Sequence, residues 1–331
     1  AHQVLVERFS RGLVVRTASR AERTMLEEIA ALIARRGQDM PRGQDFALDR
    51  RAAFLLRAVR EIVRAGAATA KRQLVSEARD FAVIETRWLR AAGRSVFGVD
   101  WNAPAPNLVQ AAMDRQPMMG RRWGEWFTDW VPRATERAVV ARVQAGMVAG
   151  ETTPQIVRGL QGMPATQYRD GTLAVTRRAL QTMARTVTTH VAGQARQLSF
   201  QQNADVVPRV RWLATLDLRT TRLCASLDGT TWAVDEPHPV PPAHPNCRSS
   251  LIPSIGPIIG KRASMDGPVP ADTTFEEWIR QQSLERQEAV FGKTLAREFA
   301  AGRITVADMV DRAFTRPLTL KEMRDLDLLG L

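Results

Sequence analysis

VPRVRWLATLD, residues 207–217, is the stretch on which the fold turns. It alternates apolar with polar side chains and is rich in β-branched and aromatic residues, so it reads as a strand. DGTTWAV (228–234) then supplies a tight bend at Asp228–Gly229 and leads into a second strand. The prolines of PHPVPPAHPNCRSSLIPSI (237–255) forbid regular helix and predict an ordered, extended loop, with SSLIPSI adding an edge strand.

Before Phe200 the period is helical almost throughout. AERTMLEEIAALIARR (21–36) sets Leu26, Ile29 and Ile33 on one stripe, with Glu on the earlier turns and Arg at the end. Residues 47–92 keep the same spacing, which predicts two long helices or one helix bent near Gly66. WNAPAPNL (101–108) breaks it with prolines. Trp123, Trp126 and Trp130, three and four apart, share a helix face and read as a core ridge, with a partner-docking ridge as the alternative. Helices are expected over 134–149, over a short segment capped by Thr152 or Thr153 with Pro154 in its first turn, and over 171–198.

Downstream, GKRASMDGPVPADT (260–273) resembles a linker. Thr273 or Thr274 with Glu276 or Glu277 forms a capping box, placing Phe275, Trp278 and Ile279 inward. Short helices are expected over 286–300, 305–313 and 318–331. The predicted class is α+β, mostly helical, with long N-terminal helices, a small β-containing module near 200–255 and a short helical C-terminal tail. The organisation expected is a basic helical region (1–133), a module with a small sheet and Pro-rich loop (134–258), and a linker with helical extension (259–331).

The 331 residues carry a net charge of +12, unevenly placed. Residues 1–200 hold 31 basic and 18 acidic side chains, whereas 201–331 hold 16 and 17. A basic first part suits an anionic neighbour, either nucleic acid or an acidic protein surface, although Arg and Glu are interspersed there. The lack of a run of about 18 apolar residues argues against a membrane helix, and AHQVLVERFSRGLVVR does not read as a secretory signal. Two cysteines exclude a disulfide-dense scaffold. No GxxxxGK[ST], HExxH or GxSxG motif is present, and His2 and His190 stand isolated.

The densest polar constellation is Asp217-Leu-Arg219-Thr220-Thr-Arg222-Leu-Cys224, followed by His244-Pro-Asn246-Cys247-Arg248. Three readings compete. Cys224, His244 and Cys247 are zinc-type donors, but a closed site needs a fourth, from Asp217 or His238. A Cys–His nucleophile pair is the second. The third, preferred, is a structural knot in which Asp217 pairs with Arg219 or Arg248 and the cysteines pack or form one disulfide. No cofactor and no catalytic residue are therefore expected, with zinc at the three donors as the lesser reading.

RTVTTHVAGQARQ (185–197), RWLATLDLRTTRLCASLDGTTW (211–232) and PPAHPNCRSSLIP (241–253), in that order, resemble the Mu-F-like minor head proteins of tailed bacteriophages. The likeness is strongest over 135–255 and extends weakly to 331. The resemblance places Asp217, Arg219, Thr220, Cys224, Gly229, Pro242, His244, Pro245, Asn246, Cys247 and Arg248 at the family's motif positions. Thr221 and Ser249 stand where many relatives carry cysteine, and Val187 where an acidic residue often follows Arg-Thr, so a four-cysteine cluster is halved here. The resemblance implies a non-enzymatic, few-copy head morphogenesis protein near the portal. It would be assembled in the host bacterial cytoplasm, lie in the capsid interior or at the portal vertex, and help DNA stay in or leave. Its implied partners are the portal, other head proteins and packaged double-stranded DNA bound non-specifically, with no membrane. The rival classes are a zinc-assisted nuclease using His244 and a stand-alone DNA-binding protein.

Overall fold

The computed structural model describes residues 2–37, 39–41, 43–98, 100–129, 131–256, 259–311 and 316–329. Its helices are α1 (His2–Arg36), α2 (Gln44–Leu48), α3 (Arg50–Phe97), α4 (Pro106–Arg115), α5 (Trp123–Asp129), α6 (Val131–Val148), α7 (Thr153–Gln161), α8 (Ala174–Gln201), α9 (Arg222–Leu227), α10 (Phe275–Arg280), α11 (Leu284–Phe291), α12 (Lys293–Ala300) and α13 (Leu320–Asp325). Its strands are β1 (Arg209–Leu213), β2 (Thr231–Ala233), β3 (Ser250–Pro253), β4 (Lys261–Ser264), β5 (Gly267–Pro270), β6 (Val310–Asp311) and β7 (Arg316–Pro317). The mostly helical α+β reading holds.

Two compact units form, Ala1–Val83 with Gln110–Thr188 and Ile84–Val109 with Thr189–Leu331. α3 and α8 each contribute residues to both units. In the first unit, Leu26, Ile29 and Ile33 of α1 bury with Leu55, Val59 and Val63 of α3, and with Val139, Val143 and Met147 of α6. α3 runs without interruption through Gly66, so of the two expected alternatives the chain forms a single long helix. α7 starts on a capping box in which Thr152 and Gln155 satisfy each other's backbone N–H groups. Trp123 is buried and donates from Nε1 to Asp114 at 3.0 Å. Trp126 is half-buried under Arg121, and Trp130 lies outside the described residues.

The second unit is built on an antiparallel sheet of order β2-β1-β3. The strand expected from 207–217 is its centre, pairing Val210 with Trp232 on one side and Trp212 with Leu251 on the other. Val210, Trp212 and Leu251 are fully buried against Phe275, Trp278, Phe299 and Met309. Thr274 and Glu277 form the expected capping box, and Phe275, Trp278 and Ile279 point inward.

Two expectations are corrected. Residues 260–273 are not a bare linker: β4 and β5 form a hairpin there, pairing Arg262 with Val269. The helix expected over 305–313 is a single 3-10 turn, Ala307–Met309, followed by β6. The linker reading failed because Gly, Pro and Asp suggest a loop whether or not the chain pairs around them.

Arg262 is what anchors that hairpin. Its guanidinium is almost wholly buried and meets the fully buried Asp228 carboxylate at 2.9 Å. Asp228 also accepts the Ala214 and Phe275 backbone N–H groups, each at 2.7 Å. Arg262 further donates to the carbonyls of Ala214 (2.5 Å) and Thr273 (2.6 Å). Removing one partner leaves the other charge buried and unpaired, which costs about 3–5 kcal/mol. Asp228→Ala is expected to lower unfolding stability by that amount in a urea melt. A loss below about 1 kcal/mol, the worth of a surface pair, would exclude the hub role.

Candidate functional site

The site lies in the second unit, where the Pro-rich loop closes over α9 and the C-terminal half of α8. β1 ends in a turn built on Asp217. Its Oδ1 accepts the Arg219 N–H at 3.0 Å and the Thr220 hydroxyl at 3.3 Å. The Thr220 backbone N–H bonds the Asp217 carbonyl, as short polar side chains favour in such turns. Thr221 then caps α9, accepting the Cys224 N–H at 3.3 Å. Gly229 takes φ 83°, a left-handed conformation that a side chain would strain, and returns its N–H to the Trp212 carbonyl.

Arg248 clamps this turn to the loop. Its Nη2 donates to Asp217 Oδ1 at 2.7 Å and its Nη1 to Oδ2, a two-pronged pair with both side chains largely buried. Arg219, the other expected partner, stays outside. Its guanidinium is 77% exposed and no closer than 3.9 Å.

α8 holds the loop from beneath. Thr189, Gly193, Arg196 and Gln197 are spaced four, three and one apart, and so share a face. The Thr189 hydroxyl donates to the Cys247 carbonyl (3.0 Å), Arg196 to Leu251 (3.3 Å) and the Gln197 amide to Val234 (2.9 Å). Burial pulls the Arg196 guanidinium below its ordinary range despite the nearby Glu85 carboxylate. A Cβ at Gly193 would stand 2.3 Å from the Pro241 carbonyl oxygen, so only glycine admits the loop there. None of these four was singled out from the sequence. The available signal was polar residues recurring at helical spacing in a helix judged by its apolar stripe.

His244, Asn246 and Cys247 lie on one tight turn, in which the Cys247 N–H bonds the His244 carbonyl and Asn246 is left-handed at φ 61°. Pro242 is buried, Pro245 exposed. Cys224 and Cys247 are free thiols, both buried, with sulfurs 3.7 Å apart. His244 places Nε2 3.1 Å from Cys224 Sγ and Nδ1 2.8 Å from the Pro245 carbonyl oxygen. All three donor atoms lie within 4.8 Å of one another, so the cluster can coordinate a metal ion. Neither expected fourth donor joins it: Asp217 is held by Arg248, and His238 by Gln197 Oε1 and the Glu236 carbonyl. The Cys–His contact is present, yet the sulfurs are too buried to attack an incoming substrate.

The two thiols shift in opposite directions. The Cys247 sulfur beside it, with burial, pushes the Cys224 thiol up. The Cys224 S–H bond, against the penalty of burial and with help from His244, holds Cys247 down. Burial opposes charge on His244, but the hydrogen bond and charge of the Cys247 side chain outweigh it and raise the imidazole.

For Asp217, burial pushes upward while the Arg248 hydrogen bonds and charge prevail, so its carboxyl titrates below the ordinary 3.8. A depressed folded value contributes stability above the unfolded value, lost as pH falls through the folded one. Acid melts should therefore show stability falling from about pH 4 downward. Asp217→Asn is expected to flatten that dependence and cost about 1.5–3 kcal/mol at neutral pH, the worth of hydrogen bonds to a charged group. An identical acid profile in the variant would sever Asp217 from the clamp.

Residues 137–252, from within α6 to β3, match the family described as Phage Mu protein F like protein. No curated protein and no solved structure matches the chain. The matched stretch contains the Asp217–Arg248 clamp, the Cys224–His244–Cys247 cluster and the polar face of α8. About a third of this chain is thus similar to that family.

Proposed function

We propose that this chain is a minor head protein of a tailed bacteriophage, present in few copies, seated in the capsid interior or at the portal vertex. It joins the head during assembly in the host bacterial cytoplasm and assists DNA retention or ejection. The observation that carries this reading is the Mu-F-like match over residues 137–252. Supporting it, the motif's polar side chains bond one another and the backbone, as suits a module that presents a fixed surface to a portal or neighbouring head protein. No helix among the described residues is long and apolar enough to cross a membrane.

The excess positive charge gives the DNA side of the proposal. α3, about 72 Å long at 1.5 Å per residue, carries exposed Arg57, Arg60, Arg64, Arg72, Arg79, Arg87, Arg90 and Arg94. Several also pair with acids, such as Arg64 with Glu136 and Arg79 with Asp114. Such a partly neutralised rod suits non-specific phosphate contact and carries no base code.

The test mixes the purified chain with portal rings of its own phage, and separately with duplex DNA, at about 150 mM salt. Discrete mass increments on the portal are expected and give the copy number. DNA cleavage lost in His244→Ala, or DNA binding without portal association, would replace the proposal with the nuclease or DNA-binding class. Any DNA affinity should weaken as salt rises, and Arg87→Ala with Arg90→Ala should reduce the log–log slope by about 2. An unchanged slope would remove those two side chains from the DNA face.

A further inference from the structure

We propose that Cys224, Cys247 and His244 form a three-donor site for one zinc-class divalent cation, with the fourth position left to solvent on the His244 side. This goes beyond the head-protein reading and does not depend on it.

Three features of the geometry point there. Two thiolates bound to one tetrahedral ion at about 2.3 Å lie about 3.8 Å apart, and the sulfurs stand at 3.7 Å. That separation exceeds the roughly 2.05 Å of a disulfide. The imidazole is oriented for ligation: Nδ1 faces the Pro245 carbonyl oxygen at 2.8 Å, so the proton sits there and Nε2 presents its lone pair toward the sulfurs. Finally, the donors are held in advance of any ion. Cys224 sits in capped α9, while Cys247 and His244 share a hydrogen-bonded turn gripped through Thr189 and Arg248.

Charge balance favours the same assignment. A divalent cation with two thiolates and a neutral imidazole is net neutral, which suits a buried cluster better than an isolated charge. Each thiol releases its proton to solvent as its sulfur ligates, and no oxidant or reductant is needed. The cysteines are buried while His244 is half-exposed, so the open side of the cluster is the imidazole side. Among the described residues no further His, Cys, Asp or Glu joins the group, which leaves that position to water. Bound there, the ion would staple the Pro-rich loop to α9.

The experiment uses the full chain, reduced and stripped with chelator, then titrated with Co(II) and with Zn(II). Expected results are one ion per chain by elemental analysis, a thiolate-to-Co(II) charge-transfer band, and a Tm that climbs with free Zn(II) as ligand linkage requires. Cys247→Ser should abolish the band. His244→Gln, at a half-exposed position, should weaken binding at least tenfold while the apo protein keeps the far-UV spectrum of the parent. No charge-transfer band and an unchanged Tm in excess Zn(II), with the fold intact, would overturn the site. So would uptake that both variants retain, or a chain that isolates with Cys224 and Cys247 joined as a disulfide.

Discussion

The second unit depends on a buried carboxylate. Its sheet is small, with strands of five, three and four residues, and so few strands do not bury enough apolar surface to stand alone. The missing core comes from the chain's last sixty residues, through Phe275, Trp278, Phe299, Met309 and Met323. Asp228 makes that loan of core possible by accepting N–H groups from the end of β1, from the start of α10 and from Arg262 in β4. A fully buried charge is tolerable only when its oxygens are so completely bonded. The C-terminal extension is therefore part of the sheet module's own folding, rather than a tail hung upon it.

The same constraint recurs at the Pro-rich loop in a different form. A loop with Pro237, Pro239, Pro241, Pro242 and Pro245 has surrendered five backbone donors and pairs poorly with strands. Its carbonyls still need partners. α8 bonds the Cys247 carbonyl at the end of the loop through Thr189 and the flanking Leu251 and Val234 carbonyls through Arg196 and Gln197, so these polar side chains are buried where charged and polar residues are otherwise rare. Gly193 completes the face by being absent where the loop passes closest.

What could be read from the chain follows from these two facts. Local rules were enough for β1, for the Asp228–Gly229 turn, for the Thr152 and Thr274 caps and for the apolar stripe of α1, because each depends on neighbours a few residues away. Asp217 and Arg248 were legible as a pair, although Arg219 competed on proximity and only the fold selects Arg248. Arg262 was not legible: its partner lies 34 residues earlier, and a basic residue among Gly, Pro and Asp looks solvated. Asp228 was seen as a turn residue and its carboxylate overlooked, since the turn explains its presence without the charge. The α8 polar face escaped because periodicity was sought in apolar residues alone.

The cluster of Asp, His, Asn, Cys and Arg looks catalytic when written in one line, and valence explains why it is structural. A group that acts on a substrate must keep one lone pair or proton directed outward. Both Asp217 oxygens face Arg248, and both Arg248 terminal nitrogens return the bond. His244 turns one nitrogen to a carbonyl and the other to sulfur, and Asn246 serves the left-handed corner of the turn. The sulfurs are covered. What the module shows to solvent at this end is Arg219 and Pro245, a charge and a rigid ring held at fixed positions by everything beneath them. Residues so thoroughly bonded inward can set the shape and charge of an outer surface.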